Sequence, residues 1–290
     1  MFEAFIDYLR FEKRSSEHTI LAYQTDLTQF TEFLELKTIS ELNELTSLNI
    51  RSWIVYLIDE GQSNRSVNRK IATLRTFYKW LRKQNLVVNN PMTKIQGPKN
   101  EKRLPVFAKE SDLESDKLAD LFANDFDGMR DALMVELFYQ TGIRLNELIN
   151  LKETDINEQS IKVLGKRNKE RLIPISTELY NQIEKFSFHK VKILGNTKFL
   201  LVLNNGNKLY PTFVYRKINS YLSKATNLDK KSPHVLRHTF ATHMLNRGSG
   251  LETLKDLLGH ANLAATQVYT HNSFAQLTAI YSQAHPRGHK

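Results

Sequence analysis

Four short stretches of the sequence set cations, imidazoles and hydroxyls among apolar neighbours. In Thr141-Gly142-Ile143-Arg144-Leu145-Asn146-Glu147-Leu148 a helix ends at the glycine and another starts at once, which puts Arg144 in a first turn. The helix dipole disfavours a cation there, so Arg144 is not a capping device. Helix amides beside a guanidinium make an oxyanion cradle, and Glu147, three residues on, can orient the arginine. A surface ion pair is the other reading of the same two residues. The loop Gly165-Lys166-Arg167-Asn168-Lys169-Glu170-Arg171 can push an ammonium into a groove for phosphate contact or proton donation, or stand as a solvated charged turn. In Pro233-His234-Val235-Leu236-Arg237-His238-Thr239-Phe240, His234 and Arg237 share a helix face while Leu236, Phe240 and Met244 take the core side. Finally, Leu257-Leu258-Gly259-His260 breaks a helix and Tyr269 follows nine residues later; alone, Tyr269 reads as a half-buried core residue.

Together, two arginines, a lysine, two histidines and a tyrosine suit phosphoryl transfer. Guanidinium forks clamp the non-bridging oxygens of a phosphodiester and neutralise charge in a pentacoordinate transition state, the role a metal plays in many nucleases. A tyrosine hydroxyl with an ordinary pKa of about 10 can attack phosphorus when cations and a base adjoin it. The phosphotyrosine ester so formed keeps the bond energy for religation. His234 and His238 have the i, i+4 spacing of a zinc helix, but Val-Leu-Arg between them supplies no glutamate base and sets Arg237 beside the cation, so no metal is expected. Two rivals stay open. A metal-dependent nuclease predicts loss of activity with chelator, and a non-enzymatic DNA-binding protein predicts no covalent adduct.

These stretches need elements to hold them. Phe2, Phe5, Ile6 and Leu9 fall at helical spacing. Ser16-Glu17-His18-Thr19 caps a second helix carrying Ile20, Tyr23, Leu27, Phe30 and Phe33, and Ile50, Trp53, Ile54, Tyr56 and Leu57 mark a third that ends near Gly61. Ser63 or Asn64 caps a fourth, with Val67, Ile71, Leu74, Tyr78 and Leu81 on its core seam and Arg65, Arg69, Arg75, Lys79 and Arg82 off it. Residues 62–100 hold nine bases and no acid, whereas residues 1–61 have net charge −6 and residues 101–290 have +7. A stretch so free of carboxylates points to a polyanion, and a helix with one basic face can lie on a phosphate backbone or in a major groove; a merely solvated basic face is the alternative. Asn89-Asn90-Pro91, Gly97-Pro98 and Leu104-Pro105 break the pattern, so residues 89–108 read as a basic linker. Beyond it, helices are expected near 112–124 and 128–141, strands at 160–164 and 171–175 around a six-residue hairpin loop, a third apolar run at Phe199–Leu203 ending in a turn at Asn204-Asn205-Gly206, and helical periodicity from Thr212 onward with breaks at Gly248-Ser249-Gly250 and Gly259.

At 290 residues two domains are expected, 1–88 and 109–290 with the linker between. The absence of cysteine removes disulfide scaffolds, thiolate zinc sites, cysteine nucleophiles and iron–sulfur ligation. No apolar run is long enough to span a bilayer, and the charged start MFEAFIDYLRFEKR has no signal-peptide core, so no membrane partner and a cytoplasmic setting are expected.

With these residues in this order, the sequence resembles the tyrosine recombinase (phage integrase) family, most closely its Xer branch, over the whole chain. Arg144 lies in what looks like the first arginine box. Lys166, not Lys169, takes the place of the hairpin lysine. His234-Val235-Leu236-Arg237-His238 looks like the His-x-x-Arg box, His260 falls at the second histidine position, and Tyr269 falls where the nucleophile belongs. Arg167 stands where the hairpin often has glycine, a turn position. Ala284-His285-Pro286-Arg287 also resembles the Xer C-terminus.

The resemblance implies that Arg144 and Arg237 bind the scissile phosphate, Lys166 protonates the leaving 5′ oxygen, His234 assists proton transfer from the phenol, His260 hydrogen-bonds the phosphate, Glu147 braces the site and Tyr269 forms the 3′-phosphotyrosyl link. It implies a C-shaped DNA clamp made of an all-α SAM-like core-binding domain and a mainly helical, mixed α+β catalytic domain with a small antiparallel sheet. Arg65, Arg69, Arg75 and Lys79 would contact DNA. No cofactor is implied. The implied partners are double-stranded DNA, a second copy or a second Xer-type recombinase in a tetramer on two sites, with a C-terminal helix near Ser273–Gln283 docking on the neighbour, and a DNA translocase as activator. The implied task is resolution of chromosome dimers at a dif-like site, on the nucleoid. No arm-binding domain is expected ahead of the helical domain, which would favour that task over directed excision. A mobile-element integrase or a type IB topoisomerase shares the catalytic set and is the alternative.

Overall fold

The computed structural model describes residues 2–100, 106–165, 170–259 and 271–288, with the backbone only of 271–273. Its contacts divide the chain into two units, Met1–Arg103 and Leu104–Lys290.

The first unit is helical: α1 (Glu3–Asp7) runs into a π-helical turn at Tyr8–Glu12, followed by α2 (Glu17–Phe33), a 3₁₀ turn at Ser40–Asn43, α3 (Ser47–Asp59) and α4 (Asn64–Lys83). The caps are the ones legible in sequence. Ser16 Oγ accepts from the Thr19 amide at 3.3 Å and Ser63 Oγ from the Ser66 amide at 3.2 Å, each satisfying an amide that the first turn leaves unpaired. Phe5, Leu27, Phe30, Trp53, Val67, Leu74, Phe77 and Tyr78 bury their side chains in one core. Met92 and Ile95, from the stretch read as linker, are buried in that core too. Asn64 and Asn68 on α4 donate to the carbonyls of Lys99 and Pro98, and Arg75 donates to that of Ile95.

The second unit is mainly helical with one small sheet. A 3₁₀ turn (Glu110–Asp112) and the short α5 (Ser115–Ala119) replace the single helix expected near 112–124. Asp125 then N-caps α6 (Phe126–Thr141), accepting from the Gly128 amide at 2.8 Å, so this helix begins two residues before the expected 128. It is followed by α7 (Leu145–Asn150) and by the antiparallel strands β1 (Ile156–Asn157), β2 (Ser160–Leu164) and β3 (Glu170–Pro174), in the order β1-β2-β3. Glu170 pairs with Leu164, so β3 starts one residue earlier than expected and the connecting loop is shorter by that residue. The chain continues as α8 (Thr177–Leu194), α9 (Pro211–Ala225), α10 (Pro233–Asn246), α11 (Leu251–Leu258) and α12 (His271–Ala284). The apolar run at Phe199–Leu203 makes a single bridge, Val202 to Lys208, rather than a strand. Leu200 instead gives its amide to the Leu151 carbonyl at 2.8 Å.

Packing on α8 and α10 buries α6 on most of its circumference, from Leu133 to Thr141 without interruption. A helix enclosed in this way needs no polar face, and its buried charges must find partners. Among the described residues no helix is long and apolar enough to cross a membrane.

Candidate active site

The site grows from the turn between α6 and α7. Gly142 closes α6 in the left-handed region, with φ 58°, and its amide bonds the Phe138 carbonyl at 3.0 Å. Only glycine takes this conformation without strain. There is no room for a side chain either: a Cβ would lie 2.6 Å from Phe240 Cδ1 and 2.8 Å from Leu258 Cδ2. This contact brings the end of α6 against α10 and α11. The chain then turns directly into α7, with Arg144 at the N-cap in an extended conformation. The Arg144 amide donates to Glu147 Oε2 at 2.8 Å, and its Nη1 donates to Oε1 at 2.8 Å. Glu147 is buried, so the pair is not a surface ion pair.

Two further guanidiniums converge here. Arg171, buried on β3, donates from Nη1 and Nη2 to the two oxygens of Glu147, both at 2.8 Å, and from Nε to the Leu257 carbonyl at 2.8 Å. Arg237 on α10 donates from Nη1 to the Gly142 carbonyl and from Nη2 to the Leu258 carbonyl at 2.6 Å. Arg144 Nη2 reaches the Gly259 carbonyl at 2.9 Å. Three consecutive carbonyls at the C-terminus of α11 therefore each accept from a different arginine. Such carbonyls lack intrahelical partners and carry the negative end of the helix dipole, which suits cations.

The electrostatics are unbalanced. Burial would raise the Glu147 carboxyl, but hydrogen bonds and charge from Arg171, then from Arg144, hold it at about 2. Burial lowers Arg237 to about 9, and the neighbouring Arg144 and Arg171 add to the shift while Glu147 opposes it. Three guanidiniums surround one carboxylate, two of them bonded to it and Arg237 bonded to carbonyls instead, which leaves two positive charges in excess. Arg144 and Arg237 each remain partly open to solvent. An anion is the ligand that such a cluster stabilises most.

The other expected residues divide into three groups. His234 lies on α10, three residues before Arg237, and is exposed. Burial lowers the pKa of His238, with His234 and Arg237 adding to the effect. Lys166, Lys169, His260 and Tyr269 lie outside the described residues. Arg65, Arg69, Arg75 and Lys79 lie on exposed positions of α4, in the first unit; Arg69 pairs there with the buried Asp26, which also holds Lys70 at 3.1 Å and Thr73 at 2.8 Å. Among the described residues no group of three or more His, Asp or Glu is placed to hold a metal.

Sequence reasoning assigned no role to Arg171 or Asp26. A signal existed for each. Arg171 alternates with Ile173, which puts a cation on the inward face of a strand, and Asp26 sits at the spacing of Tyr23 and Phe30 on the core side of α2.

Comparison with known proteins follows the same division of the chain. The phage integrase family model matches residues 111–276, and the model of the phage integrase N-terminal SAM-like domain matches residues 2–85. A tyrosine recombinase XerC of Staphylococcus saprophyticus subsp. saprophyticus is 40% identical over 292 residues, covering 99% of this chain and 98% of that one. The solved structure of the XerH site-specific recombinase bound to a palindromic difH substrate, a post-cleavage complex, has the same fold with a TM-score of 0.73 at 21% identity, over 97% of this chain and 83% of that one. The Tn1549 transposon integrase in complex with circular intermediate DNA follows at 0.70 and 17%, over 92% of this chain and 95% of that one. The chain belongs to the phage integrase family and, within it, to the Xer branch of the tyrosine recombinases.

Proposed function

We propose that this recombinase cuts and rejoins double-stranded DNA at a specific site through a 3′-phosphotyrosine intermediate, and that Arg144 and Arg237 hold the scissile phosphate. One observation carries the reading: three guanidiniums gather beside a single carboxylate, Arg144 and Arg171 bonded to it and Arg237 bonded to main-chain carbonyls, with Arg144 and Arg237 still reachable from solvent. The bonds described for Arg144 and for Arg237 occupy two of the roughly five N–H donors that a guanidinium has, so donors remain for phosphate oxygens.

In this reading the Tyr269 oxygen attacks phosphorus and the bond to the 5′ oxygen breaks. Lys166 gives the leaving oxygen its proton, His234 takes up the phenolic proton and His260 donates to a non-bridging oxygen. Charge that grows on the equatorial oxygens meets Arg144 and Arg237, already fixed by Glu147 and by main-chain carbonyls, so little reorganisation is needed at the moment of reaction. Attack by the freed 5′ hydroxyl on the phosphotyrosine restores the phosphodiester and the phenol. The guanidiniums supply the positive charge, so no metal or cofactor is required.

Residues 1–88 would form a core-binding domain, 89–108 a linker and 109–290 the catalytic domain, a division supported by the two family matches. Arg65, Arg69, Arg75 and Lys79 would contact phosphates. The DNA complexes of XerH and of the Tn1549 integrase support duplex DNA as substrate. The XerC relative is consistent with resolution of chromosome dimers as the task. In this reading it takes place on the nucleoid, with four protomers on two sites, a second copy or a second Xer-type recombinase as partner, and a DNA translocase as activator.

The test is a nicked duplex carrying a site selected by this protein from a randomised pool. Cleavage releases a short strand and traps the protein on DNA. The wild type should give a covalent band that persists in chelator, and Tyr269→Phe should give none while binding the site with near-normal affinity. Cleavage without an adduct would overturn the reading.

A further inference from the structure

The reading above leaves Arg171 without a task, although it is the best-bonded cation of the cluster. It stands on β3 opposite Val163 and shares its strand face with Ile173, a core residue. A cation in such a place needs partners, because an uncompensated buried charge is strongly destabilising. Stability alone does not call for an arginine: buried ion pairs can be replaced by apolar residues of similar volume at no loss. The particular geometry therefore needs a reason.

One guanidinium joins three segments here. Its fork meets both oxygens of Glu147 on α7, and its Nε meets the Leu257 carbonyl on α11, all at 2.8 Å. Each Glu147 oxygen is shared. Oε1 accepts from Nη1 of Arg171 and Nη1 of Arg144, and Oε2 accepts from Nη2 of Arg171 and the Arg144 amide. A rotation of the carboxylate would carry Arg144 with it. The same holds at α11, where the carbonyl next to that held by Arg171 receives Arg237 and the one after it receives Arg144. Gly259 completes the interlock. It has φ 62°, and a Cβ on it would lie 3.2 Å from both Cδ and Nη1 of Arg171.

We propose that Arg171 is a positioning residue for DNA cleavage: by clamping Glu147 and the C-terminus of α11 together, it sets the orientation of the Arg144 and Arg237 guanidiniums toward the scissile phosphate. This rests on the reading that those two arginines hold that phosphate. A lysine at 171 keeps the charge but cannot make two in-plane bonds to a carboxylate and a third to a carbonyl.

The experiment uses the full chain and the nicked duplex described above. Arg171→Lys should slow covalent-complex formation at saturating DNA by tenfold or more, while affinity for the duplex stays within about threefold and the melting midpoint within a few degrees. Glu147→Gln should slow the same step. The double variant should be no slower than the slower single variant, because both act through one carboxylate. Gly259→Ala, which leaves Arg171 in place but crowds it, should also slow cleavage with affinity retained, and it carries the test should Arg171→Lys not fold. A wild-type rate for Arg171→Lys, a loss that tracks affinity or melting midpoint, or multiplicative effects in the double variant would overturn the assignment while leaving the proposed function intact. Absence of any adduct with the wild-type protein would overturn both.

Discussion

Gly142 and Phe240 approach so closely that no methyl group fits between them: a Cβ on the glycine would fall 2.6 Å from Phe240 Cδ1. The end of α6, the start of α7 and the face of α10 that carries Arg237 are thereby set against one another. Gly142→Ala combines left-handed strain of about 1–3 kcal/mol with overpacking of about 1–3 kcal/mol. Chemical denaturation should show a loss of about 3 kcal/mol, and DNA cleavage should fall further than the unfolded fraction explains, since the carbonyl that receives Arg237 belongs to this residue.

The residues that build this junction were legible to different degrees. Gly142 announced a helix end, Ser16 and Ser63 announced helix starts, and the His234 to Arg237 spacing announced a shared helix face; each is a local signal that acts within four residues of chain. Arg171 was hidden because its meaning lies in a partner 24 positions away. Within the hairpin it reads as one more charge in a run of charges. Asp26 was hidden for the same reason, its partners lying on α4. The helix expected near 112–124 is replaced by a 3₁₀ turn and a five-residue helix ending at Ala119, and Asp125, just past the expected end, caps the next helix. The apolar run at Phe199–Leu203, read only as an apolar run ending in a turn, packs Leu200, Leu201 and Val202 into the interior with a single bridge, Val202 to Lys208, and hydropathy alone does not say whether such a run makes a strand.

Acid should destabilise the second unit through His285. Its ring is fully buried, stacks on Tyr281 at 5.2 Å and lies 3.3 Å from the Tyr139 carbonyl. Burial lowers its pKa from 6.5 to about 3, although the bond to Tyr139 acts the other way. The unfolded chain binds this proton below about pH 6.5 and the folded chain does not until about pH 3. Stability is therefore lost as pH falls between those values, by about 1.4 kcal/mol per pH unit from this proton. Urea titrations between pH 4 and 7 should give a shallower slope for His285→Gln than for the wild type; equal slopes would remove His285 from the effect.

In the first unit Asp26 is the anchor of α4. Asp26→Ala would leave Lys70 buried without its carboxylate and should cost about 3–5 kcal/mol. Arg69→Ala removes a half-exposed partner and should cost less than about 1 kcal/mol. Denaturation midpoints of the two variants should separate accordingly.

Arg65 and Lys79 occupy exposed positions on the same helix. If each neutralises one phosphate, replacing either by alanine should weaken binding about equally on all duplexes and reduce the salt slope of log affinity by about one unit. Arg75, tied to the Ile95 carbonyl at 2.5 Å, should show a smaller change in slope than these two.

Cleavage turns on which atom bonds to phosphorus. Trapping the protein on the nicked duplex, digesting the adduct and sequencing the modified peptide by mass spectrometry reads it directly. The digest should contain a nucleotide linked to Tyr269 through its phenolic oxygen and to no other residue. A nucleotide attached elsewhere, or strand cleavage that leaves every peptide unmodified, would contradict it.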